Sequence, residues 1–211
     1  MNRANVRWGL VTFLVVANLG GAQPVHAQLK LRLHGGITQP LASTSDYFKF
    51  GPSVGVDIAR PVGEKLDVML DLGWDYLNMT DIYPTPTTNL WRYGVGLEGA
   101  LRGNPGSDRV LVHVLAGAGA TTIRSHQFWL ASRRPYQFEG ETINQTSLNV
   151  SGGLRLGIRA QNDLTWWLTG KLGWLPIQDR NADALKELAR NQLNSLSSAL
   201  SASITLGVTL F

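Results

Sequence analysis

The chain has 211 residues, a formal net charge of +4 and no cysteine, which bounds it to about one domain and excludes disulfide scaffolds and thiolate metal sites. Its Lys and Arg residues form no extended basic stretch interleaved with aromatics, so nucleic acid is not an expected partner. Beyond the first residues no segment approaches the ~18 uninterrupted apolar residues of a transmembrane helix.

The N-terminus reads as an export signal. Arg3 and Arg7 form a positive region, Trp8 to Ala17 is a short apolar run, and Val25-His26-Ala27 offers small or β-branched residues at a cleavage site. That run would rise only about 15 Å as a helix, half a bilayer core, too little for an anchor. The expected division is a cleaved signal peptide over 1–27 and one domain over 28–211. Losing Arg3 and Arg7 lowers the formal charge from +4 to +2, so the charge balance says little about partners. No Cys opens the mature chain to carry a lipid, which leaves a soluble protein or a barrel.

From Leu29 onward the sequence alternates with period two, the signature of strands with two unlike faces. Leu29, Leu31 and Leu33 alternate with Lys30, Arg32 and His34, and Val54, Val56 and Ile58 with Ser53, Gly55 and Asp57. The third run is the clearest: Leu66, Val68, Leu70, Leu72, Trp74 and Tyr76 oppose Asp67, Met69, Asp71, Gly73 and Asp75. Trp91, Tyr93, Val95 and Leu97 oppose Arg92, Gly94, Gly96 and Glu98. Val110, Val112, Val114 and Ala116 oppose Leu111, His113, Leu115 and Gly117, the least clean case. Leu148, Val150, Leu154, Leu156 and Ile158 oppose Asn149, Ser151, Arg155, Gly157 and Arg159. Leu164, Trp166, Leu168, Leu172 and Trp174 oppose Thr165, Trp167, Thr169, Lys171 and Gly173, and Ile204, Leu206, Val208 and Leu210 oppose Thr205, Gly207 and Thr209.

The connections alternate in length. Arg60–Lys65, Gly103–Asp108 and Ala160–Asp163 are short, whereas Thr38–Lys49, Leu77–Leu90, Arg124–Ser147 and Pro176–Ala199 are long. An all-β, eight-stranded antiparallel up-and-down transmembrane β-barrel has this parity, with short periplasmic turns and long extracellular loops.

Alternation alone also fits a soluble periplasmic lipocalin-like barrel with its apolar face inside. Three features favour the membrane. Trp74, Tyr76, Trp91, Tyr93 and Trp174 cluster at one end of the apolar face and Trp166 at the other, as an aromatic girdle does. The polar face carries small residues together with Asp67, Asp71, Asp75, Arg92, Glu98, Arg155, Arg159 and Lys171, which suits a lumen only wide enough for side chains and ion pairs. The expected partners of the three aspartates are Arg92, Arg155, Arg159 or Lys171. The apolar bands between the aromatics are aliphatic and match the ~9–11 residues of a tilted spanning strand.

On these features the chain resembles the OmpA/OmpX-like family of small outer-membrane barrels of Gram-negative bacteria. The resemblance covers the whole mature chain as a pattern rather than as motifs. It implies outer-membrane location, contact with outer-membrane lipids and lipopolysaccharide, and insertion by the barrel-assembly machinery, which reads a terminal aromatic such as Phe211. Here the apolar parity of the last strand falls on Leu210 instead, a departure from the family pattern.

Candidate chemistry is sparse. His34 and His113 fall on the polar face with no second metal ligand at useful local spacing. His126 beside Ser125 lacks the geometry of a nucleophile and base, and no His-x-Ser pair supports a lipid A-modifying enzyme. Leu185, Leu188, Leu193, Leu196 and Leu200 recur at helical spacing after Asp183, predicting a helix over 183–200. Phe128, Trp129, Arg133, Arg134 and Tyr136 form an aromatic and basic cluster suited to a surface ligand. The expected function is a non-enzymatic barrel, structural or surface-interacting, without cofactor or metal. A narrow, porin-like pore, a lipid-modifying enzyme and a soluble ligand carrier stand as alternatives.

Overall fold

The computed structural model describes residues 29–46, 48–78, 87–103, 108–125, 128–131, 138–141, 144–160, 164–177 and 198–210. Their strands are β1 (Lys30–Leu41), β2 (Gly51–Pro61), β3 (Leu66–Asn78), β4 (Thr87–Arg102), β5 (Val110–Ser125), β6 (Phe128–Ala131), β7 (Phe138–Glu141), β8 (Asn144–Arg159), β9 (Thr165–Pro176) and β10 (Ser198–Thr209). Eight of them close into a barrel in the order β1-β10-β9-β8-β5-β4-β3-β2. Every neighbouring pair is antiparallel, and the barrel is sealed by the β1–β10 ladder from Arg32 opposite Thr209 to Leu41 opposite Leu200. Closure gives each strand two partners and leaves no edge, the only way a sheet satisfies its backbone polar groups in lipid. The start of β1 and the end of β10 share one rim, the terminal end; the opposite rim is the far end.

Side chains sort by face as in a membrane barrel. Ile37, Leu154 and Leu206 are 50%, 54% and 65% exposed, whereas Arg32, Asp57, Glu98 and Arg155 are 2% exposed or less. A soluble barrel has the reverse arrangement, so the lipocalin-like alternative is overturned by where the charges lie. The girdle aromatics follow the outward face. Trp74 stacks obliquely on Tyr76 at 5.9 Å and on Trp91 at 6.0 Å between ring centres. Trp74 Nε1 donates to Asn89 Oδ1 at 3.0 Å, and the Tyr93 hydroxyl lies 3.0 Å from Thr122 Oγ1. Trp166 and Trp174 bracket β9, about 27 Å apart along the strand, comparable once tilted with an apolar band about 25 Å tall.

Glycines open the space that large inward side chains occupy. A Cβ on Gly157 would lie 2.5 Å from the Trp167 ring, and one on Gly73 would lie 2.7 Å from Arg92 Nη2. Both pairs are direct cross-strand neighbours. At the terminal end Gly103, with φ of +87°, takes the left-handed turn that a side chain would resist.

The ladder runs further than alternation indicates. β5 continues to Ser125 and β8 begins at Asn144, paired through Arg124 opposite Asn144, where a long loop over Arg124–Ser147 is expected. Between them β6 and β7 form a separate two-stranded ladder. The apolar band ends before these residues, so period two fades while backbone pairing persists. Leu200 lies in β10 opposite Leu41, so the expected helix does not extend to it. The part of that segment over 183–197 lies outside the described residues, as do the expected signal peptide over 1–27, Phe211, His126, Arg133, Arg134 and Tyr136.

Candidate functional site

The lumen is the place where polar chemistry concentrates. Glu98, 1% exposed on β4, is its centre. Its Oε2 accepts from Arg32 Nη1 at 2.5 Å and from Arg155 Nη1 at 2.7 Å, and its Oε1 meets His113 Nδ1 at 2.5 Å. Arg155 also donates through Nη2 to Asp57 Oδ2 and through Nε to Thr169 Oγ1 at 3.0 Å. One guanidinium from β8 thereby ties β4, β2 and β9 together. Trp167 lies against this cluster, with Arg32 and Arg155 at 5.2 and 5.9 Å from its ring centre and His113 at 5.1 Å. Cations over a desolvated indole face are attracted by its quadrupole, and the Trp167 Nε1 proton is satisfied by Thr209 Oγ1 at 2.7 Å.

Two further layers flank the centre. Toward the terminal end Asp67 pairs with Lys30 at 2.6 Å and with Arg32 at 3.7 Å. Toward the far end Asp71 pairs with Lys171 at 2.5 Å, and Asp75 with Arg92 at 2.9 Å and Thr38 Oγ1 at 2.9 Å. Among the described residues, the ion pairs just named join five cations (Lys30, Arg32, Arg92, Arg155, Lys171) to five carboxylates (Asp57, Asp67, Asp71, Asp75, Glu98), a balanced set when both histidines are neutral. Apolar groups fill the gaps. Ala59, Met69 and Leu115 form a small buried cluster, and Leu77, Ile123 and Leu175 are buried at inward positions of the far end. A cavity of about 60 Å³ remains, lined in part by Thr38, Asp71, Asp75, Thr121, Lys171 and Ser203.

Of the eight expected lumen charges, Asp71–Lys171, Asp75–Arg92 and Glu98–Arg155 meet as pairs drawn from that set. Asp67 does not: it is held by Lys30 and Arg32, while Arg155 adds Asp57 to its pairing with Glu98. Arg159 sits at the terminal end of β8 opposite Thr165. Lys30, Arg32, Asp57 and Trp167 belong to the cluster although sequence reasoning does not assign them to it. Their inward parity is visible in the alternation; their partners, on strands distant in sequence, are not. His34 lies 3.5 Å from Asp57 and gains through the barrel's register the neighbours that local spacing denies it.

A closed eight-stranded barrel with charges inside and an aliphatic, aromatic-bordered exterior is a small outer-membrane β-barrel. No family model matches the chain, and no curated protein matches it. Among solved structures, the chain is similar to neisserial surface protein A, with a TM-score of 0.52 and 10% identity over 86% of this chain and 95% of that one. It is likewise similar to a major outer membrane protein from Thermus thermophilus, with a TM-score of 0.52 and 12% identity over 86% of this chain and 99% of that one. At such identities the likeness is one of fold.

Proposed function

We propose that this chain is a non-enzymatic, non-conducting outer-membrane barrel whose lumen is a structural plug and whose far-end loops meet partners at the cell surface. The observation that carries this reading is the electroneutral cluster Arg32–Glu98–Arg155–Asp57, which joins four strands across the lumen and is almost fully buried. A permeating ion would have to part buried, paired charges, at a cost of several kcal/mol. The terminal end faces the periplasm in this reading, and the exterior contacts outer-membrane lipids and lipopolysaccharide after delivery by the barrel-assembly machinery. Partner contact is assigned to the chain between far-end strands, including the Arg133–Arg134 cluster. The test is planar-bilayer recording on purified protein: no steady conductance is expected from the native chain, and a sustained ohmic channel would contradict the plug.

A further inference from the structure

Three adjacent strands of one wall bring His34 (β1), Asp57 (β2) and Asp71 (β3) together, with one ring nitrogen and one oxygen of each carboxylate within 4.8 Å of one another. Asp57 and Asp71 are direct opposites across the β2–β3 ladder, a placement that like-charge repulsion disfavours. The opposite wall compensates only half of it. Arg155 holds Oδ2 of Asp57, and Lys171 holds Oδ2 of Asp71. The remaining oxygens, Oδ1 of each aspartate, make no hydrogen bond within the protein, and neither does either ring nitrogen of His34. These atoms are not solvated in compensation: Asp57 is fully buried and the His34 side chain is 9% exposed. Buried polar atoms left without a hydrogen-bond partner are uncommon and call for a water, a ligand or an ion.

The spacing fits a metal better than a hydrogen bond. His34 Nε2 stands 3.5 Å from Asp57 Oδ1, close to the ~3.3 Å edge of a tetrahedron built on bonds of about 2.0–2.1 Å. The ring is seated by glycines on both sides. A Cβ on Gly55 would collide with His34 Cε1, and one on Gly207 would lie 2.9 Å from His34 Cβ. We infer that His34, Asp57 and Asp71 form a lumenal binding site for one divalent first-row transition-metal ion. An imidazole among the donors selects ions such as zinc or cobalt over magnesium or calcium. Arg155 behind Asp57 holds that carboxylate's other oxygen, the role outer partners commonly play around metal ligands. All three ligands come from one wall, so further coordination positions face the lumen, where the cavity reaches Asp71 and Lys171. Because the Lys171 ammonium competes for Asp71, occupancy weakens that pair.

The test uses the untagged, folded barrel in detergent, titrated with Co²⁺ and then with Zn²⁺. One equivalent of Co²⁺ should bind, with visible ligand-field absorption that stoichiometric Zn²⁺ removes. His34→Gln and Asp71→Asn, each checked for an intact barrel by its unboiled gel mobility, should weaken binding at least tenfold. Lys171→Met should tighten it several-fold by removing the competitor. Absence of stoichiometric Co²⁺ in the folded native barrel overturns the site. Equal binding by native protein, His34→Gln and Asp71→Asn places any metal elsewhere and overturns it as well. Conductance plays no part in this readout, so the plug and the metal site stand or fall separately.

Discussion

Glu98→Gln isolates the charge balance of the lumen with almost no change in shape. The native carboxylate takes two guanidinium contacts and one imidazole contact, at 2.5, 2.7 and 2.5 Å, while 1% exposed. The amide keeps one acceptor oxygen but presents an NH₂ where a cation or ring nitrogen now sits. It also leaves the five lumen cations with four carboxylates. Removing one partner of a buried ion pair costs about 3–5 kcal/mol, and Arg32 retains Asp67 only at 3.7 Å, so a value in that range is expected. Arg32→Gln added to Glu98→Gln restores the balance, and the pair should cost less than the sum of the singles by about 1–3 kcal/mol. The assay is reversible urea unfolding in lipid vesicles, read by unboiled gel mobility. A Glu98→Gln variant within about 0.5 kcal/mol of native, the range of an ordinary surface change, would refute the reasoning.

Three other outcomes follow from the geometry. Leu70→Arg, on the lipid-facing side of β3 opposite Ile58 and Val95, should cost about 2–4 kcal/mol in the same unfolding assay. Gly157→Ala places a methyl group 2.5 Å from the Trp167 ring and should cost about 1–3 kcal/mol through forced repacking. Gly170→Ala, whose added Cβ meets nothing within 4 Å, should be neutral or slightly stabilising, and equal losses at the two glycines would count against the packing.

Fold and site differ in how much of each can be read from the sequence. The Leu66–Tyr76 run shows its two faces outright, because an inside-out barrel sets aliphatic and aromatic residues against Asp and Gly at every second position. β5 is harder: Leu111 and Leu115 point inward to be buried, Leu115 in a cluster with Ala59 and Met69, while Ala116 and Ala118 face out. Its period is present, but its contrast is gone. Ion-pair partners are the least legible feature. Arg155 and Asp57 lie 98 residues apart, and Lys171 and Asp71 lie 100 apart. Their meeting depends on the stagger of the closed barrel, which alternation does not specify. One usable signal is local: a bulky inward residue facing glycine on the next strand, as in His34–Gly55, Arg92–Gly73 and Trp167–Gly157.

Lipid outside and charge inside is the arrangement on which everything else depends, and a spin-label scan of β9 tests it most directly. The chain has no cysteine, so each introduced one is unique, and positions 166 to 175 can be labelled singly in vesicles. Collisions with membrane-dissolved oxygen should peak at 166, 168, 170, 172 and 174 and fall at 167, 169, 171 and 173. The opposite phase, or no period of two, would contradict the assignment of the faces.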